Sequence, residues 1–304
     1  MGLVRPILEH VLIFVTGTLS PVTFLTRAAR RTARAMGVDL ERLVDGAVSV
    51  RRTRGTAAVR PLSPRISVVT NEPDPLRLQQ RLGHYLAEQQ VDWMLRKLRI
   101  NCVIDAGANA GQFAERVRAG GYTGRIASFE PLPAFVAELR TKAKADPDWQ
   151  IHPYAVGEED GEATINVVPG TMSSILPISD FGKGWHERLR EEPTAETIQV
   201  RRLDSFFDQV TAGIEEPRIF LKLDTQGFDL AAFRGVGDRI GEVLAMMSEL
   251  AAVPIYDGMP TMTEQLAEYE AAGFDLAAMF PVSLDRPSMR VVEFDAVLVC
   301  SPDK

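Results

Sequence analysis

The run Val103-Ile104-Asp105-Ala106-Gly107-Ala108-Asn109-Ala110-Gly111 constrains this chain most. An apolar strand ends in a carboxylate, a glycine turn follows, and Gln112-Phe113 open a helix. In doubly wound α/β sheets a ligand binds just beyond the carboxyl end of such a strand. Glycine at 107 and 111 lets backbone approach that ligand closely.

The spacing speaks to the ligand. A dinucleotide turn reads GxGxxG and aims backbone amides at a pyrophosphate. Here Asn109 stands where the second glycine would be, and Asp105 closes the strand. A carboxylate there repels phosphate and suits a ligand carrying an ammonium group. S-adenosylmethionine has that ammonium, a sulfonium and no phosphate. Glu130, in Ser128-Phe129-Glu130-Pro131, follows the next strand. An acid at that point can accept hydrogen bonds from both ribose hydroxyls, so it favours a nucleoside ligand.

From Asn101 onward strand and helix patterns alternate. Strands read at Cys102–Ala106, Arg125–Phe129, Gln150–Tyr154, Ile219–Leu223, Val243–Leu250 and Glu293–Val299, with an extra one at Ala163–Val168. Helices read at Asp74–Leu98, Gln112–Ala119, Pro133–Ala145, Leu203–Gln209, Asp229–Phe233 and Thr261–Ala272. The first carries the stripe Leu76, Leu82, Leu86, Val91, Met94, Leu95 and Leu98. Alternation of this kind predicts a doubly wound, mostly parallel sheet with helices on both faces. The stretch from Pro169 to Pro193 reads as a loop over the cleft.

Asp105-to-Gly111, Phe129-Glu130-Pro131, Tyr154-Ala155-Val156-Gly157, Leu203-Asp204 and Lys222-Leu223-Asp224-Thr225-Gln226-Gly227 follow one another in the order of the FkbM methyltransferases. Over roughly residues 100–300 the chain resembles that family. The resemblance implies a class I methyltransferase fold: a Rossmann-like, seven-stranded, mostly parallel sheet with an antiparallel edge strand. It also implies S-adenosyl-L-methionine as donor and O-methylation of a sugar, glycolipid or natural-product hydroxyl. Carried over, Asp105, Gly107, Asn109 and Gly111 line the donor's amino-acid half and Glu130 its ribose. Ala108, Phe113, Pro131, Ala155 and Val156 complete the expected donor contacts. The family commonly has Glu where this chain has Gln226, so no role of that Glu transfers.

Lys222 and Asp224 end an apolar strand, where charged side chains face the cleft rather than the core. Asp224 is the expected general base, and Lys222 holds it ionised or stabilises the developing alkoxide. Glu249 ends the following strand and is a second acid for the same cleft. Together Asp224 and Glu249 could bind a divalent ion with water. No third ligand is evident, so no metal is assigned. Of the four histidines, His186, beside Trp185 in the loop, is the reserve base. His84-Tyr85 could touch the donor's amino-acid end. The competing readings are a nicotinamide-dependent oxidoreductase and a donor-binding but inactive partner protein.

Charge is unevenly spread. Residues 1–60 hold ten Arg against four acids, while the whole chain is −7. An acidic main body argues against a nucleic-acid backbone as partner. A small-molecule or glycolipid acceptor fits better. The chain divides on this reading into a basic, apolar, helical extension with its linker (1–72) and a donor-binding domain (73–304). The apolar run from Val11 to Leu25 is shorter than the roughly twenty residues of a spanning helix. It reads as a helix packed on the main domain or a partner subunit in a homo-oligomer, or as a peripheral membrane contact. Cys102 and Cys300 form no metal motif and suit a cytoplasmic, reducing setting, membrane-associated if the leader binds lipid.

Overall fold

The computed structural model of the chain describes residue 72, residues 74–301 and five strands ahead of them. These strands are β1 (Leu12–Val15), β2 (Val38–Arg42), β3 (Val48–Arg52), β4 (Ala58–Ser63) and β5 (Ile66–Thr70). The chain splits into two compact units, Met1–Gln79 and Gln80–Lys304. In the first, β5 pairs antiparallel with β1 and β4, and β2 pairs antiparallel with β3. The expected helix over Val11–Leu25 is therefore corrected at Leu12–Val15, which is strand; residues 16–25 lie outside the described residues. The expected linker is corrected at Ala58–Ser63, which is β4, while the short strand that the sequence allows at Ile66–Thr70 is β5; four of its five residues are β-branched and favour strand over coil.

Helix α1 (Pro75–Lys97) runs from one unit into the other. In the second unit follow β6 (Cys102–Ala106), α2 (Gln112–Ala119), β7 (Arg125–Phe129), α3 (Pro133–Ala143), β8 (Trp149–His152) and β9 (Ala155–Val156). Next come β10 (Gly161–Val167), α4 (Asp180–Trp185), β11 (Thr194–Arg201), α5 (Phe207–Thr211) and β12 (Ile219–Leu223). The chain continues through α6 (Asp229–Arg234), β13 (Val243–Ala251), α7 (Met262–Ala271), β14 (Phe274–Asp285) and β15 (Arg290–Cys300). Short 3₁₀ turns at Glu187–Arg190, Asp204–Phe206 and Gly237–Glu242 link them.

Seven strands form the main sheet, in the order β14-β15-β13-β12-β6-β7-β8. The inner ones pair in parallel, and β15 runs antiparallel between β13 and β14. This is the class I methyltransferase arrangement, an α/β fold. All five residues of β6 and of β12 are buried, as central parallel strands covered on both faces must be. Ile104, Leu221, Met246 and Leu298 pack on one side with Phe207, Leu230 and Tyr269. Val103, Phe220, Ala245 and Val297 pack on the other with Val91, Met94, Ala114 and Val117. The buried side of α1 is Leu78, Ala87, Val91, Met94 and Leu95, while Leu76 and Leu86 point to solvent, so the expected stripe is rotated.

Two strands go beyond the sequence pattern. Thr194–Arg201 pairs antiparallel with β10 and parallel with β9, giving a small second sheet beside the cleft. Phe274–Asp285 is the twelve-residue edge strand of the main sheet. The stretch 169–193 is no plain loop: it holds α4 and a 3₁₀ turn, and Val168, Ile178 and Leu189 give it an apolar core with Ile255 and Tyr256.

Candidate functional site

Beyond the carboxyl ends of β6, β7, β12 and β13 lies a cavity of about 430 Å³. Its walls hold Gly107, Ala108, Asn109, Phe113, Glu130, Pro131, Ala155 and Val156 of the expected donor set. They also hold Lys222, Asp224 and Glu249 of the expected catalytic set, and His84. Asp105, Gly111 and His186 are not on those walls.

The turn after β6 is built by its own hydrogen bonds. Gly107 and Ala108 donate their N–H groups to the Phe129 carbonyl, at 3.1 and 3.0 Å. Asn109 N–H goes to Glu130 Oε2 at 2.8 Å, Ala110 N–H to Asn109 Oδ1 at 2.8 Å, and Gly111 N–H to the Ala108 carbonyl at 2.8 Å. All five amides are thus engaged within the protein, and none points outward to cradle a pyrophosphate. Gly107, Asn109 and Gly111 all take positive φ (75°, 47° and 88°), the left-handed region that glycine enters freely and Asn tolerates.

Glu130 is buried, and its second oxygen accepts the Leu132 N–H at 2.9 Å. Each oxygen keeps a lone pair for a ligand hydroxyl. Burial pushes its pKa up to about 7, against the opposing pull of the Leu132 and Asn109 amides. Leu132, Val156, Ile165 and Ile198 line the same end of the cavity as an apolar slot. A carboxylate for a ribose beside a slot for a base, with no phosphate cradle, fits the adenosine half of S-adenosylmethionine.

Asp105 is corrected as a donor contact. It lies fully buried, opposite Lys222 on β12 and Ser128 on β7 in the strand register, so its side chain shares their face of the sheet. Its carboxylate is 3.1 Å from Lys222 Nζ and accepts the Ser128 hydroxyl at 3.1 Å; Trp149 Nε1 donates to that same hydroxyl oxygen. Lys222 in turn donates to the Gly107 carbonyl at 2.9 Å and lies 3.4 Å from Asp224. Asp105 therefore supports the turn through Lys222 and does not line the cavity. Burial opposes the Lys222 charge, yet Asp105 and Asp224 raise its pKa above the ordinary lysine value. Gly111 backs the wall instead: a Cβ there would press on Leu139 and Trp149.

His186 is also corrected. The expected place was over the cleft; it sits between α4 and the next 3₁₀ turn, where Nδ1 accepts the Arg188 N–H at 3.2 Å as an N-cap. Its ring packs edge-on to Trp185, away from the cavity.

Asp224 is 40% exposed, toward the cavity, and both its oxygens are engaged: Oδ2 by Lys222, Oδ1 by Gln226 Nε2 at 2.9 Å. Gln226 Nε2 also donates to Glu249 Oε2 at 3.1 Å. Asp295, opposite Glu249 on β15, lines the cavity, and the buried Glu293 lies two residues earlier on the same face. Burial and then Glu293 hold the Glu249 pKa well above the carboxylate range. Burial raises Glu293 and Asp295 to about 7 each; Asp224 adds to both, and the Ser283 hydroxyl opposes in Glu293. Sequence reasoning misses Glu293 and Asp295, although their alternation around Phe294 in an apolar strand is a legible signal. Among the described residues no group of three or more His, Cys, Asp or Glu is placed to hold a metal ion. Nor, among them, is any helix long and apolar enough to cross a membrane.

A family model, the methyltransferase FkbM domain, matches residues 105–276. The chain belongs to the FkbM methyltransferase family. It is an S-adenosylmethionine-dependent methyltransferase. No curated protein matches this FkbM member in sequence. Among solved structures it is similar to Aeropyrum pernix fibrillarin with natively bound S-adenosyl-L-methionine, at 11% identity over 86% of this chain and 94% of that one, TM-score 0.39. It is also similar to precorrin-6y C5,15-methyltransferase from Geobacter metallireducens (12% identity; 70% and 88% covered; TM-score 0.37). A rRNA methylase from Streptococcus thermophilus is a third (9%; 70% and 95%; 0.37).

Proposed function

We propose that this FkbM methyltransferase methylates a hydroxyl oxygen of a small acceptor: a sugar, a glycolipid or a natural product. The carrying observation is Asp224, a carboxylate open to the cavity and fixed at both oxygens by Lys222 and Gln226. When bound, S-adenosylmethionine supplies an activated methyl group. The Glu130 end of the cavity holds its adenosine, which leaves the Asp224 end for the acceptor. Asp224 orients the acceptor hydroxyl and takes its proton as the new C–O bond forms and the S–C bond breaks. Lys222, 3.4 Å away, holds the Asp224 carboxylate in place. Alignment of oxygen, carbon and sulfur can supply about 7–11 kcal/mol of the barrier. The acidic balance of the chain supports a small acceptor rather than nucleic acid. The internally bonded amides of the Gly107–Gly111 turn speak against a nicotinamide dinucleotide.

The test is methyl transfer from labelled donor to a panel of free sugars, glycolipids and polyols, beside calorimetry with S-adenosylhomocysteine and NADH. Labelled product with S-adenosylhomocysteine uptake supports the reading. Tight NADH uptake without S-adenosylhomocysteine uptake overturns it. Donor uptake without transfer to any hydroxyl leaves the chain a donor-binding partner.

A further inference from the structure

Gln226 stands where two parts of the site meet. Its side chain lies between two acids, the cavity-facing Asp224 and Glu249: Nε2 is 2.9 Å from Asp224 Oδ1 and 3.1 Å from Glu249 Oε2. A primary amide has two N–H bonds, and one goes to each acid. The amide is useful only one way round. Turned over, its carbonyl oxygen would face both carboxylates. Tyr256 favours this orientation: its single hydroxyl proton is shared between Gln226 Oε1 and the Met172 carbonyl, each 3.0 Å away. Tyr256 is itself buried and off the cavity wall, so it reaches the site through Gln226 and through the Met172 carbonyl.

The backbone at this point is just as constrained. Gln226 has φ 54°, in the left-handed region where a non-glycine residue needs outside support. Ser174, buried, provides it by donating its hydroxyl to the Gln226 carbonyl at 2.6 Å. The Tyr256 hydroxyl also lies 3.0 Å from the Met172 carbonyl. Thr171, Ser173 and Ile175 of that same stretch line the cavity. One residue thus ties the stretch lining the cavity to the two acids beneath.

We propose that Gln226 is a positioning residue for methyl transfer, holding Asp224 and Glu249 in one fixed arrangement, with Tyr256 setting the orientation of its amide. The proposal rests on the assignment of Asp224 to the acceptor half of the cavity. An amide does here what an ionised glutamate could not: it supplies an N–H to each of the two acids.

The test uses the full chain loaded with S-adenosylhomocysteine. Hydrogen exchange of the Gln226 side-chain amide is followed by nuclear magnetic resonance, its signals identified by their loss in Gln226→Leu. The Nε2 protons should exchange at least tenfold more slowly than those of the exposed Gln89. In Tyr256→Phe they should approach the Gln89 rate while S-adenosylhomocysteine affinity stays within twofold. With any acceptor that turns over, Gln226→Leu and the isosteric Gln226→Glu should each lose at least tenfold in kcat, with donor KM within twofold. Protection equal to Gln89 in the wild type, protection unmoved by Tyr256→Phe, or wild-type kcat in Gln226→Glu would each overturn the proposal. Failure of the wild type to bind S-adenosylhomocysteine would instead overturn the donor-site reading beneath it.

Discussion

Asp105 and Lys222 stand side by side in adjacent parallel strands and form an ion pair of 3.1 Å, with side chains 0% and 5% exposed. The pair carries the glycine turn on one side, through the Gly107 carbonyl, and Asp224 on the other. Two charges removed from water together are tolerable, but one left alone is not. Lys222→Met, which strands the Asp105 carboxylate, should destabilise the fold by about 3–5 kcal/mol. The check is urea unfolding: a lowered midpoint at unchanged slope is expected. A midpoint equal to the wild type's would mean that the pair holds nothing in place.

Asp224 is separable from donor binding, because its contacts are Lys222 and Gln226 rather than the Glu130 end of the cavity. Asp224→Asn keeps the shape and removes the base. S-adenosylhomocysteine affinity should stay within about twofold while turnover drops about 10²–10⁴-fold, the usual worth of a general base. Turnover at the wild-type rate would take Asp224 out of the mechanism.

How far a sequence of this kind can be read depends on which property a residue's role rests on. The strand–turn–helix at 102–119 is legible because burial on both faces, glycine at the turn and amphipathic spacing are all local. Glu130 is legible for the same reason, as an acid ending a strand. Asp105 is misplaced by such reading because its role is set by register, which puts Lys222 and Ser128 beside it and keeps it off the cavity wall. His186 looks catalytic from its loop and is a cap instead. The strand Thr194–Arg201 hides because Glu196 takes a place on its inward face, and Phe274–Asp285 because Ala277, Ala278 and Pro281 interrupt its pattern. The network through Gln226 joins residues 172, 174, 224, 249 and 256, a grouping that only the folded chain makes visible.

Gly107 cannot be replaced even by alanine. Its φ is +75°, and a Cβ there would lie 1.9 Å from the Asp224 carbonyl oxygen, which is backbone and cannot swing aside. Gly107→Ala should force β6 and β12 apart at their carboxyl ends. Thermal unfolding should show a clearly lowered Tm, and calorimetry a loss of S-adenosylhomocysteine binding. A variant with both properties intact would contradict the close approach of the two strand ends.

Glu293 makes stability depend on pH. Its folded pKa, raised by burial to about 7, exceeds its ordinary value of 4.5. Between these values the folded chain holds a proton that the unfolded chain has lost, so stability falls as pH rises from about 5 to 7. Over that interval the loss runs at up to about 1.4 kcal/mol for each step of one in pH. Glu293→Gln cannot ionise, so its stability should decline less over the same range. Denaturant midpoints at pH 5, 6, 7 and 8 measure this; parallel curves for the two proteins would refute it.

Glu130 should impose the opposite dependence on donor binding. Burial raises its pKa to about 7, so near neutrality it is divided between acid and carboxylate. Two ribose hydroxyls need acceptors, and the ionised form is the stronger acceptor at both oxygens. The competent fraction therefore grows as pH climbs through 7. Apparent affinity scales with that fraction, which predicts roughly tenfold weaker S-adenosylhomocysteine binding at pH 6 than at pH 8. Glu130→Gln keeps the shape, loses the charge and donates where it should accept, so it should bind weakly at every pH. Calorimetry at pH 6, 7 and 8 on both proteins decides the matter. A wild-type Kd constant across that range would remove Glu130 from the ribose site.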